Sequence, residues 1–283
     1  MSYKTEMSNT ESSPSGSKPT GSNRRAILSL TARETKALLP QILTVVPQAP
    51  PLGYLCSHAT TPILASKCNP NLSTQVEVVN GDTFNVAISL SGPSARGGQV
   101  VVGFEGLKPR RELCYRSSLI FTLKLRYYPL GNRDAIYSPT VIVFRENFGD
   151  GHSLMDLQRP GSLPIVSVVS MAAVRRPEVD QSTQPPSYKC VEDRDLMKDK
   201  MRVILRIAAY NKHRKLVLGA LGCGAFENPK EEVARCWAEV LQEPEFQGWW
   251  ERMVFAVLEN TNELAKSKGN FDVFHTSLHG LRV

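Results

Sequence analysis

The chain is short of the features that would mark a membrane, secreted or metal-centred protein. It has no run of about 18 apolar residues, the length a membrane-spanning helix needs. Residues 1–21 are rich in Ser and Thr and lack an apolar core, unlike a secretory leader. The six cysteines (Cys56, Cys68, Cys114, Cys190, Cys223, Cys236) include no CxxC pair and no close Cys/His spacing, so no zinc or other metal site is expected. A disulfide framework is not expected in a chain of this size without an export signal, and the thiols should be reduced and mostly buried. No internal repeat is visible, and basic and aromatic residues are not interleaved as a nucleic-acid-binding face requires. These absences favour an intracellular protein, cytoplasmic or nuclear; the Arg24-Arg25 pair is too short to serve as an import signal.

What is present suits a globular α/β protein. The 283 residues could hold one large or two small domains, and 41% hydrophobic with 22% charged residues is enough for a sizeable core. A net charge of +7 favours polyanionic partners, but the charge is spread along the chain rather than gathered in one block.

Hydrophobic patterning divides the chain into three stretches. Residues 1–24 have no periodicity and are expected to be disordered. Residues 25–74 read as an arm, helical over 25–39, stopped at Pro40, then extended through Pro47, Pro50, Pro51, Pro62 and Pro70. Residues 75–283 read as one α/β domain. Val76, Val78 and Val79 make a strand, after which Asp82 or Thr83 caps a helix running to about Leu90. Further strands are expected at 99–102, 136–144, 164–169, 215–220 and 253–258, and a helix over 113–127, ended by Pro129. The clearest helix is 194–210, with Met197, Met201, Ile204, Leu205 and Ala208 on one face. A second covers 229–241, its face being Val233, Cys236, Trp237, Val240 and Leu241. Residues 175–187, with three prolines, read as a mobile insertion. Strands alternating with helices imply a mixed, largely parallel sheet covered on both faces.

The most informative stretch is Leu216-Val217-Leu218-Gly219-Ala220-Leu221-Gly222-Cys223-Gly224-Ala225-Phe226-Glu227-Asn228-Pro229. It reads as a buried strand, a glycine loop and a helix start with Asn228 as N-cap and Pro229 in the first turn. Such a loop lets backbone N–H groups approach a phosphate, and in an open α/β sheet it lies at the carboxyl end of a strand, where ligands bind. A tight structural turn is the competing reading. Cys223 is not expected to be a nucleophile, because the nearest histidine, His213, stands at the far end of the preceding strand.

Residues 214–226 with Asn228-Pro229 and Glu232-Val233-Ala234-Arg235 resemble a signature of the microbial-type poly(ADP-ribose) glycohydrolases, fungal members above all. Leu113-Cys114-Tyr115-Arg116-Ser117-Ser118-Leu119 and Ile136-Tyr137-Ser138-Pro139 resemble that family too, in the same order, and the likeness spans residues 75–283. It implies a macrodomain-like three-layer α/β/α sandwich that binds ADP-ribose, with poly(ADP-ribose) and ADP-ribosylated proteins as partners and no cofactor. Gly222, Cys223, Gly224, Ala225 and Phe226 would then wrap the diphosphate, Phe226 would lie against a ribose, and Asp82 would accept from the adenine amino group. Two other roles compete: Asp82 as a plain N-cap and Phe226 as ordinary core.

The sequence also departs from the family. Its enzymes place a triglycine loop and a Gln-Glu-Glu run before the Leu-Cys-Tyr-Arg helix, and the second Glu is the general acid/base at the ribosyl bond. Here the interval is Gly103-Phe104-Glu105-Gly106-Leu107-Lys108-Pro109-Arg110-Arg111-Glu112, with neither run. Gly97-Gly98 lies on the wrong side of the strand, and Arg110 and Arg111 take the acidic positions, where a guanidinium cannot act as an acid. Glu112 is the nearest candidate carboxylate, and it or Glu105 could serve only if the loop rearranged. Either the protein lacks the segment and is a non-catalytic reader, or an exon piece has been skipped and the natural enzyme is intact. The family-like strand, helix and phosphate loop favour the second. A basic nucleic-acid-binding protein is a third reading.

Overall fold

The computed structural model describes residues 21–58, 61–91, 100–105, 111–259 and 268–283, with side chains described outside 21–25, 100–105, 111 and 112. Residues 1–20, most of the segment expected to be disordered, lie outside the described residues.

Seven strands form one sheet in the order β1 (Tyr54–Cys56), β4 (Ala135–Ile142), β5 (Ile165–Met171), β3 (Val100–Glu105), β8 (Lys215–Leu218), β9 (Arg252–Ala256) and β2 (Val76–Val79). The pairings among β5, β3, β8, β9 and β2 are parallel, whereas β1 and β4 are attached antiparallel. The sheet is therefore mixed and largely parallel, as its alternation with helices implies. β5 is buried at all seven positions, which fits its run of Val and Ile.

Side chains alternate between two apolar layers. Leu216, Leu218, Met253 and Phe255 face α5 (Val191–Tyr210), α6 (Lys230–Leu241) and α7 (Asn270–Leu278). Val217, Ala256, Val166 and Val168 face α2 (Thr83–Ser91), α3 (Arg111–Arg116) and α4 (Leu119–Thr122). This period-two alternation between helical layers makes three layers, α/β/α. The stripes read on α5 and α6 are all buried. Each large apolar side chain so buried contributes about 1.5–3 kcal/mol.

The arm differs from expectation. α1 (Gly21–Val45) starts inside the segment 1–24 and runs through Pro40 rather than ending there. Leu39 and Ile42 on either side of the proline are buried against Ile142, Phe144, Leu163 and Ile165. That packing offsets the backbone bond which Pro40 cannot make. Farther on, Leu55 pairs with Ile136, so the arm supplies the sheet with its edge strand.

Residues 113–127 are not one helix. The run breaks after Arg116 because Ser117 and Ser118 turn to the sheet: Ser118 N–H donates to the Ile142 carbonyl (3.0 Å) and Ser118 Oγ accepts from Ile142 N–H (2.9 Å). α4 and a 3-10 turn (Leu125–Tyr127) follow. Residues 175–187 are organised around a small hairpin, β6 (Val179–Asp180) against β7 (Ser187–Tyr188).

The outer edge of β2 is covered by the residues after α7. Val76 N–H donates to Leu281 O and Gly280 N–H to Val76 O (both 2.8 Å), Thr74 and Val283 exchange N–H···O bonds, and Val78 N–H donates to His279 Nδ1 (3.1 Å). Among the described residues no helix is long and apolar enough to cross a membrane.

Candidate functional site

Parallel strands send their carboxyl ends to one rim, where open α/β sheets bind ligands. Asp82 follows β2 there, residues 172–176 follow β5, the glycine loop follows β8 and Glu259 follows β9.

The loop is held by its own turns. Leu221 N–H donates to Gly219 O (2.9 Å), Cys223 N–H to Ala220 O (3.2 Å), Glu227 N–H to Gly224 O (3.0 Å) and Asn228 N–H to Gly222 O (3.0 Å). Gly222 has φ +81°, and a Cβ there would stand 2.5 Å from Asn228 Nδ2 and 3.0 Å from Ala173 Cβ, so conformation and space both require glycine. Gly224 is the opposite case, since a Cβ there would meet nothing within 4 Å. The N–H groups of Gly224, Ala225 and Phe226 donate to nothing among the described residues. Gly224 and Ala225 are exposed, while Phe226 is half-buried against the core of the α5–α6 layer. Three successive amides without a protein acceptor suit a phosphate. The first turn of α6 already carries Glu231 and Glu232, which answer the helix dipole, so the loop amides suit an anion better than the helix end does.

Asn228 does not cap α6; the cap position is Pro229, and no side chain caps the helix. The buried Asn228 Nδ2 instead donates to the carbonyls of Val174 (2.7 Å), Gly222 (3.1 Å) and Phe226 (3.3 Å). Its Oδ1 accepts from Tyr188 OH (2.8 Å). Burial pushes the Tyr188 hydroxyl far above the usual phenol range, so it stays a donor. Asn228 thus ties the loop to β5 and to the hairpin, a role its helix-cap spacing hides.

Asp82 does cap α2: its Oδ1 accepts from Asn85 N–H (3.0 Å). The same oxygen is ion-paired with Arg116, whose side chain is fully buried. Arg116 also donates from Nη2 to Asn85 Oδ1 (2.7 Å) and from Nε to Arg145 O (3.1 Å). Arg145, buried too, reaches Thr35 (3.1 Å) and Glu34 (2.7 Å) on α1, and Thr35 Oγ1 donates to Tyr115 O (2.6 Å). The arm therefore braces the helix that carries Arg116. Asp82 Oδ2 has no partner among the described residues.

Glu259, which composition and spacing give no reason to single out, brings a carboxylate to the same rim. Its N–H donates to Asn80 Oδ1 (3.1 Å), and neither carboxylate oxygen has a hydrogen-bond partner among the described residues. Cys223 Sγ donates to Leu221 O (3.7 Å), while His213 is bonded through Nε2 to Tyr137 OH (2.9 Å) at the far end of β8. None of the six cysteines forms a disulfide among the described residues: Cys114 and Cys236 are buried, Cys56 and Cys223 half-buried, Cys68 and Cys190 exposed, so fewer than expected are buried. Burial pushes the Cys114 and Cys236 thiols up to about 12. Among the described residues no three His, Cys, Asp or Glu side chains group to hold a metal. Within the interval 103–112, residues 106–110, including Arg110, and the side chains of Glu105, Arg111 and Glu112 lie outside the described residues.

The fold and this rim define a three-layer α/β protein with a backbone phosphate-type loop at the carboxyl end of its parallel strands. In detail it is similar to the bacterial poly(ADP-ribose) glycohydrolases. The apo structure of the Deinococcus radiodurans enzyme matches with a TM-score of 0.64 at 27% identity, over 80% of this chain and 91% of that one. The same enzyme in complex with ADP-ribose matches with a TM-score of 0.63 at 25% identity, over 80% and 93% of the two chains. The Thermomonospora curvata enzyme matches with a TM-score of 0.71 at 23% identity, over 90% of this chain and 100% of that one, a likeness of fold. No protein-family model and no curated protein matches the sequence.

Proposed function

We propose that this chain is a macrodomain-like ADP-ribose-binding protein of the poly(ADP-ribose) glycohydrolase kind, with catalysis impaired in the sequence as it stands. The observation that carries the proposal is the trio of N–H groups at Gly224, Ala225 and Phe226, without acceptors among the described residues, in a chain whose structure is similar to that of an enzyme solved with ADP-ribose. In this reading residues 222–226 wrap the diphosphate, Phe226 lies against a ribose, and Asp82 offers Oδ2 to the adenine amino group. The ligands are ADP-ribose, poly(ADP-ribose) and ADP-ribosylated proteins, met in the cytoplasm or nucleus, with no cofactor and no metal.

Cleaving a ribose–ribose bond needs a carboxylic acid to protonate the leaving oxygen. Between Val102 and Leu113 the sequence supplies only Glu105 and Glu112, beside Arg110 and Arg111. Turnover is therefore expected near the uncatalysed rate, and the protein behaves as a reader of ADP-ribose. Sequencing transcripts across the codons for residues 102–113 tests this for the natural protein. A read-through with a triglycine and a Gln-Glu-Glu run would restore the hydrolase.

Binding is tested by calorimetric titration with ADP-ribose, with AMP as control. Saturable binding tighter than for AMP, lost on changes at Gly224 and Phe226 and unchanged by Glu112→Gln, is the expected result. A folded protein that binds neither ligand overturns the site.

A further inference from the structure

Beyond the phosphate loop the rim carries two arginines that the reading above leaves unused. Arg175 and Arg176 follow β5, and both are exposed. Arg176 N–H donates to the carbonyl of Phe226 (3.0 Å), so the pair is fastened to the last residue of the loop. Arg176 has φ +47° and Glu227 has φ +56°, two left-handed non-glycine residues on either side of that bond. Their side chains meet at 3.3 Å, each 65% exposed. Arg175 pairs with nothing among the described residues.

Left-handed backbone at two non-glycine residues costs free energy that the surrounding loop must offset. The ion pair does not account for that cost, because contacts so exposed contribute about 0–1 kcal/mol. A guanidinium can leave such a partner for a phosphate, which it grips through two parallel N–H···O bonds.

We propose that Arg175 and Arg176 form a cationic lip that engages a second diphosphate group, beyond the one wrapped by the loop. The ligand class is a chain of nucleoside-diphosphate units rather than a single unit, and the lip makes the site prefer poly(ADP-ribose) to free ADP-ribose. This rests on the ADP-ribose reading of the loop.

The test is a set of titrations of the full chain at two salt concentrations, with ADP-ribose, with a defined oligomer of it, and with a single-stranded oligodeoxynucleotide of equal charge. The wild type should bind the oligomer about tenfold tighter than the monomer, with the steeper salt dependence. Arg175→Gln with Arg176→Gln should lose that preference while keeping monomer affinity, and the corresponding Arg→Lys pair should regain part of it. Three results would overturn the lip alone: a wild type without oligomer preference, a Gln pair that retains it, or an oligodeoxynucleotide bound as tightly as the oligomer. A wild type that binds neither ADP-ribose nor the oligomer would overturn the loop reading as well.

Discussion

The fully buried guanidinium of Arg116 closes on the Asp82 oxygen that caps α2, so one carboxylate ties α2 to α3. Removing one member of a buried pair leaves the other charge uncompensated, which costs about 3–5 kcal/mol. Arg116→Leu is expected to destabilise the fold by about that much, read from the midpoint of urea unfolding. Asp82→Asn keeps the cap but leaves the buried Arg116 guanidinium without its counter-charge, so it should cost a similar amount and should also weaken ADP-ribose binding about tenfold. If binding is unchanged, Asp82 serves the cap and the Arg116 pair and does not meet the ligand.

Gly222 and Gly224 stand two residues apart and should answer the same substitution differently. Gly222→Ala brings a Cβ to 2.5 Å from Asn228 Nδ2 at φ +81°, and should lower stability by about 1–3 kcal/mol. Gly224→Val has open space and should leave the unfolding midpoint near wild type while abolishing ADP-ribose binding. A stable Gly224→Val protein that binds normally would remove the diphosphate from this loop.

Asn228→Ala removes the donor shared by three carbonyls and strands the Tyr188 hydroxyl. Buried polar groups left without partners cost about 1–3 kcal/mol each, so the loop should loosen even where the core survives. Amide hydrogen exchange at residues 221–228 should quicken. Tyr188→Phe loses one bond only and should cost about 1 kcal/mol.

Lys200 is 3% exposed on α5, and its ammonium donates to the Asn132 carbonyl. Burial first, then the nearby charge of Arg133, push its pKa down to about 8, with Asp134 acting the other way. Between pH 8 and 10.5 the unfolded chain holds a proton here that the folded chain has released, so stability rises with pH across that window. The gain is on the order of 3 kcal/mol. Lys200→Met should flatten this part of the stability curve; a variant with the wild-type slope would place the titration elsewhere.

Several of these features are visible in the sequence. The stripe Met197, Met201, Ile204, Leu205, Ala208 shows α5 because one face of one helix does all the burying. Asp82 shows its cap because capping is local. Pro40 misleads, since what carries α1 past it is contact with Ile142 and Phe144, about a hundred residues away in sequence. The split after Arg116 is hidden for the same reason: Ser118 is drawn to Ile142 on another element. Asn228 sits where a helix cap belongs, and only its partners at Val174 and Tyr188 reveal it as the loop's tether. The phosphate-type loop is legible because its glycines answer to local geometry, whereas Arg175, Arg176 and Glu259 join the rim only through the strand order.

The segment from His279 to Val283 also shields a strand edge from other chains. It occupies the hydrogen-bonding side of β2, with an imidazole standing in for one backbone carbonyl. A bare strand edge is a template for another chain. A protein shortened to Leu278 would lose the buried Val283 and the Leu281 packed on the core, and would present β2 uncovered. In concentrated solution it should assemble edge to edge, seen as growing light scatter and thioflavin fluorescence that the full chain does not show.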